Sequence, residues 1–277
     1  MTSGSSSSTL AYSMPSEVVR RAQRMKVRQA AMRVLSDLRI NDISTIRDHL
    51  PEVCIARGTE VFEQPLDGVD GQIVRRADGA VRLVVNSNLQ RQRRRFSLGH
   101  ELGHHEQHGE ASQLKVCTSR DLRDYTTDPQ EVEANQFSAY LLMPPALFDE
   151  QAEDGFPAFG MVRDLAVMFD TSMTATARRV IECTSYRAAI IATTPNRVAW
   201  WDTSERFKAR IDMRQLGLSR MSRAWKLFNG KTSDATTSEE VDPSAWLENP
   251  DGLDSVYESS VHIKSWGMCL SLIVLRR

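Results

Sequence analysis

Residues Arg94 to His108 read RRFSLGHELGHHEQH, and inside that stretch His100-Glu101-Leu102-Gly103-His104 matches the pattern HExxH. Histidines four apart share one face of a helix, where two imidazoles can grip a single metal ion, and Glu101 then projects toward a water on that ion. The stretch therefore has to be helical, has to open one face to a cleft, and has to find further coordination elsewhere in the chain. Gly103 adds a packing demand. Glycine within a helix costs roughly 1 kcal/mol relative to alanine, so it is expected where another backbone must come close.

Two protein ligands are one short of the usual catalytic zinc site, which has three and leaves a fourth position for water. The downstream run Glu131-Val132-Glu133-Ala134-Asn135-Gln136-Phe137-Ser138-Ala139-Tyr140-Leu141-Leu142-Met143-Pro144 reads as a second helix. Its Ala134, Phe137, Ala139, Leu141 and Leu142 can pack on the first helix while an acid at its start reaches the metal. Glu131 and Glu133 are rivals for that place, because two residues turn a helix by about 200° and only one of them can face the ion. His105, about 100° on from His104, is expected to be exposed or to stand behind the ligands. His108 continues the 100, 104 series and can line the cleft; it is the less favoured third ligand. In the metzincin pattern a third histidine comes ten residues after the first, and this chain has Glu110 there.

Together and in this order, RRFSLGHELGHHEQH and EVEANQFSAYLLMP resemble the ImmA/IrrE family of metallo-endopeptidases, most strongly over about 70 to 145. The resemblance implies zinc held by His100, His104 and Glu131, with Glu101 as general base, and manganese is an alternative ion for the same ligands. His108, Glu133 and Tyr140 are further candidates to line the cleft or support the ligands, Tyr140 as a weak candidate for oxyanion stabilisation. The implied substrate is a protein, a helix-turn-helix transcriptional repressor whose cleavage would relieve repression of stress-response or mobile-element genes. Two alternatives stand beside this reading. One is a regulatory protein that binds DNA or a partner and keeps an inactive or structural metal site; the other is a member of a toxin-antitoxin pair.

The rest of the chain sets the surroundings. Lys and Arg number 35 against 36 Asp and Glu, a net charge of -1 that gives no bulk reason to bind nucleic acid or an anionic membrane. The start lacks the basic and apolar regions of a leader, and no later run approaches the roughly 18 apolar residues of a membrane span, so a cytoplasmic protein is expected. Cys54, Cys117, Cys183 and Cys269 never form CxxC and are expected as reduced thiols.

The fold class expected is α+β, in four parts. Residues 1–14 are Ser-rich and read as a disordered tail. Residues 15–157 form the metallopeptidase domain: a basic amphipathic helix after Pro15 with a solvated cationic face, a second helix capped by Ser44, and a small antiparallel sheet from Glu60–Phe62, Gly71–Val74 and Val81–Val85. Gly79 to Asn86 is the candidate edge strand for holding an extended substrate. Residues 158–185 are helix-turn-helix-like around Asp170-Thr171-Ser172. Arg178 and Arg179 could meet phosphates there, but the scarcity of other cations favours a helical wall and disfavours direct DNA binding. Residues 186–277 read as a separate α/β module, a sensor, docking platform or dimerisation surface.

Overall fold

A computed structural model of the chain describes residues 17–109, 114–117, 128–152, 155–212, 218–233, 237–250, 252–253 and 255–276. The expected tail and Glu110 lie outside the described residues. The fold is mixed α+β, and among the described residues no helix is long and apolar enough to cross a membrane.

Helix α1 (Glu17–Asp37) turns Val27, Ala31, Val34 and Leu35 inward and leaves Arg21, Arg24 and Arg28 exposed, the solvated cationic face its sequence suggests. Helix α2 (Ile43–Asp48) begins one position ahead of the expected cap. Asp42, not Ser44, holds its first turn, accepting from the Thr45 N–H and from the hydroxyls of Ser44 and Thr45. These bonds lower the Asp42 carboxyl to about 2. Pro51 sits in the first turn of α3 (Leu50–Ala56), where its missing N–H has no intrahelical partner to lose.

Strands β1 (Thr59–Gln64), β2 (Gly71–Arg75), β3 (Val81–Asn86) and β4 (Leu114–Cys117) form a sheet in the order β1-β3-β2-β4. The β2–β3 hairpin is antiparallel, as is β2 with β4, but β1 runs parallel to β3. The antiparallel expectation is thus corrected to a mixed sheet, and Asn86 supplies the cause. Its amide donates to the carbonyls of Leu66 and Val69, and its Oδ1 accepts from the Leu66 and Asn88 N–H groups. That staple carries the chain across the end of β3, so β2 enters on the far side. It also corrects the edge: β3, which holds most of Gly79 to Asn86, is interior, and the sheet's edges are β1 and β4.

Helices α4 (Arg91–His108) and α5 (Pro129–Leu142) pack under this sheet and under α1, around Leu83, Leu98, Leu102, Phe137 and Leu141. Helices α6 (Pro145–Ala152), α7 (Phe159–Phe169) and α8 (Met173–Cys183) build a second core on one face of a five-stranded antiparallel sheet. That sheet takes β5 (Ala188–Thr194), β6 (Arg197–Thr203), β7 (Glu239–Val241), β8 (Val256–Ile263) and β9 (Met268–Leu275) in the order β6-β5-β9-β8-β7. Gly267, at φ 59°, turns the chain between β8 and β9 and lets them pair as a hairpin. Interior β5 alternates: Ala188, Ile190 and Ala192 enter the second core, while Ala189 and Ile191 enter a third core under α9 (Arg223–Phe228).

Glu258 on β8 is fully buried at that third core. It accepts hydrogen bonds from the Arg223 and Ala224 N–H groups at the start of α9, from the Trp246 indole and from the Ser260 hydroxyl. Glu258→Gln keeps the volume but turns one acceptor into a donor facing donors. We expect it to lower unfolding free energy by about 1–3 kcal/mol in denaturant titrations, and an unchanged midpoint would refute this role.

Buried Arg95 joins the two halves. From α4 it donates to the carbonyls of Ile46, Phe169 and Asp170, and Asp170 also pairs with Arg91 and Gln92. Helix α4 is thereby bolted to the α7–α8 turn, where Asp170 adopts a left-handed φ of 49°.

Candidate metal centre

Gly99 and Gly103, one turn apart on α4, face α5. A Cβ on Gly99 would lie 2.7 Å from Ser138 Oγ, and one on Gly103 would lie 3.1 Å from Phe137 Cβ and 3.2 Å from Ala134 Cα. The close approach expected at Gly103 is there, and Gly99 shares it. With the helices this near, Glu131 in the first turn of α5 meets the histidines of α4. Asp128 accepts from the Gln130 N–H and fixes that turn.

His100, His104 and Glu131 are 0, 2 and 5% exposed. His100 Nε2 stands 3.0 Å from His104 Nε2 and 3.1 Å from Glu131 Oε2, and His104 Nε2 stands 3.4 Å from Glu131 Oε1. Ligand atoms bound tetrahedrally at roughly 2.0–2.1 Å sit roughly 3.3–3.4 Å apart, so these three donors are spaced to hold a metal ion. Two imidazoles and one carboxylate suit a transition metal.

The far ring nitrogens show how the donors are aimed. His100 Nδ1 lies 3.0 Å from Asn135 Oδ1, an acceptor, so the ring carries its proton there and leaves the Nε2 lone pair toward Glu131 and His104. His104 is oriented through a longer chain. Its Nδ1 lies 2.9 Å from His108 Nδ1, and His108 Nε2 lies 2.9 Å from Glu133 Oε2. A carboxylate can only accept, so His108 donates from Nε2 and accepts at Nδ1, which makes His104 the Nδ1 donor and frees its Nε2. Glu133 is held in turn by Gln23 of α1, which donates to its other oxygen at 2.7 Å. Burial opposes charge on Glu133, but the bonds from Gln23 and His108 outweigh it and hold the carboxyl below the ordinary glutamate range.

Glu101 is fully buried beside the first residue of β2: a Cβ on Gly71 would fall 2.7 Å from Glu101 Oε1. Sequence reasoning missed Gly71, whose only signal was a glycine opening a strand. His105 accepts no metal role, its Nε2 lying 3.1 Å from the Arg57 carbonyl. Tyr140 is nine residues from Glu131, half a turn off in direction on α5, and its hydroxyl donates to Glu182 of α8. It is therefore corrected as an oxyanion group. Arg178 pairs with Asp202 at 3.0 Å and stacks on Trp200, and buried Arg179 pairs with Asp149 at 2.8 Å, so both are engaged within the molecule.

Residues 54–180 match the family model of the IrrE N-terminal-like domain, Peptidase_M78. Residues 54–180 thus form an IrrE N-terminal-like domain. This domain holds the buried His-His-Glu group and the HExxH pattern of a metallopeptidase. It also takes in α7 and most of α8, while the five-stranded sheet lies beyond the match. Over 86 residues the chain is 36% identical to "Uncharacterized immunity region protein 2" of Bacillus phage phi105, a match covering 31% of this chain and 50% of that relative. The match thus spans about half the length of the curated relative. The fold is similar to that of a Mycobacterium tuberculosis transcriptional regulator, with a TM-score of 0.61 at 16% identity over 90% of this chain and 75% of that one. At that identity the likeness is one of fold.

Proposed function

We propose that the chain is a zinc-dependent endopeptidase that cuts a helix-turn-helix transcriptional repressor and so relieves repression. The observation that carries the reading is the pairing of a buried three-donor cluster, His100, His104 and Glu131, with a buried carboxylate, Glu101, one helix position from the first ligand. A purely structural site has no need of a base there. Zinc, when bound, lowers the pKa of water and polarises a carbonyl. Manganese suits the same ligands.

Glu101 accepts the proton of the attacking water and returns it to the leaving amine, with Gly71 leaving room for its carboxylate. Asn135 and the His108–Glu133–Gln23 chain keep both imidazole lone pairs aimed at one point. The name of the phage relative, an immunity region protein, supports a repressor as substrate in a mobile-element setting. The ion pairs of Arg178 and Arg179 tell against the alternative in which the α7–α8 pair reads DNA.

The deciding experiment is incubation of purified protein with a neighbouring or best-candidate helix-turn-helix repressor, with added zinc or manganese, and mass spectrometry of the products. One defined cut, abolished in His104→Ala, supports the proposal; failure of the wild type to bind either metal refutes it. The supporting chain has its own test. His108→Ala and Glu133→Gln are each expected to weaken zinc binding about 10–100-fold in competition with a chromogenic chelator, and unchanged affinity would show that His104 needs no such support.

A further inference from the structure

A cleft of about 3170 Å³ runs between α1, α5, the α7–α8 pair and β6. Small-molecule sites occupy roughly 300–1,000 Å³, so this one is built on the scale of a polypeptide segment. Its charge is one-sided although the whole chain is nearly neutral. The acids along it are already matched: Asp170 with Arg91, Asp202 with Arg178, Glu182 with Arg179 and Glu205 with Arg21. Arg24 and Arg28 of α1, Arg163 of α7, Arg197 of β6 and Lys208 line it too, all exposed and with no ion pair among the described residues. Between these cations stand apolar groups left open to water, Met25, Val167, Trp201 and Trp266, from 42 to 74% exposed.

We propose that this cleft docks an acidic, amphipathic segment of the protein substrate, recognising it by charge at a place apart from the metal cluster. The proposal rests on the peptidase reading. The cleft reaches Asn135 and Gln136 of α5, and Asn135 holds His100, so a segment lying in it belongs to a chain whose neighbouring residues come to the metal. A nucleic acid fits less well. Its affinity depends on many phosphate contacts, the arginines of α8 are consumed internally, and a chain of net charge -1 supplies no long-range pull.

The test uses the full chain carrying Glu101→Gln, so that nothing is cut, and fluorescence anisotropy with three labelled probes. They are a peptide in which Asp and Glu alternate with Leu and Phe, its Asn and Gln counterpart, and an oligothymidylate of equal charge. The acidic peptide is expected to bind, more weakly as salt rises, and to lose about tenfold or more in the double variant Arg24→Glu, Arg197→Glu, whose charges come from α1 and β6. The variant's thermal melting should match the parent, and Trp201→Ala should weaken binding separately. Equal binding of the uncharged peptide, preference for the oligothymidylate, an unaffected double variant, or no binding of any probe each overturns the proposal. Because binding is read without turnover, a protein that docks the acidic peptide but cuts no repressor would sink the peptidase reading and leave the cleft assignment standing.

Discussion

Glu101→Gln should bind its metal as tightly as the parent while turnover falls by roughly 10²–10⁴-fold, the range that a positioned proton acceptor contributes. The amide has the size of the carboxylate, and it occupies a position that is fully buried, so packing around α4 is preserved. The three donors His100, His104 and Glu131 are untouched, and a change that removes only the base cannot remove the ion. Metal content by absorption spectroscopy and initial rates on the same preparations separate the two effects. A Gln variant that cuts at the parental rate would remove Glu101 from the mechanism. A variant that loses metal would instead make it part of the coordination.

A second large effect is expected at a residue with no chemistry of its own. Gly71→Ala places a Cβ 2.7 Å from Glu101 Oε1, closer than non-bonded atoms tolerate, and the cheaper response is for the carboxylate to swing aside. The backbone at Gly71 is not in the left-handed region, so alanine adopts it without strain, and the pairing of β2 with β3 and β4 stays as it is. The fold and the metal should survive, and kcat should fall about 100-fold, the cost of misplacing a reacting group by about 1 Å. Gly79→Ala is the matched control. At φ 87°, with open space around it, Gly79 turns the β2–β3 hairpin, so its substitution should lower the melting temperature and spare kcat per folded molecule. Reversal of that pattern between the two glycines would refute the contact.

What could be read in advance was chemistry confined to a few turns of helix. HELGH and the run from Glu131 to Met143 state their own spacing, and the cost of a mid-helix glycine at Gly103 announces that another helix lies on it. The strand order was not legible, because it hangs on the side chain of Asn86 reaching back to Leu66 and Val69, a link no periodicity records. The same holds for Gly71, which matters only for what stands opposite it. Arg178 and Arg179 of α8 could have met phosphates as far as the sequence goes, and only the positions of Asp202 and Asp149 show them occupied. The surplus charge of the long cleft is likewise invisible in a chain whose totals cancel, since it is assembled from α1, α7 and β6.

The hydrogen bond from Gln23 to Glu133 bears on how short a working fragment can be. The family match starts at Cys54, so a fragment trimmed to that boundary would discard α1, and with it the last anchor of the chain that orients His104 and the apolar stripe covering α5. It would retain His100, His104, Glu131 and Glu101, yet hold His104 loosely and leave a hydrophobic surface bare. Anyone expressing the IrrE-like half alone should begin ahead of Glu17, because the segment that looks like an appendage along the sequence is a supporting wall in three dimensions.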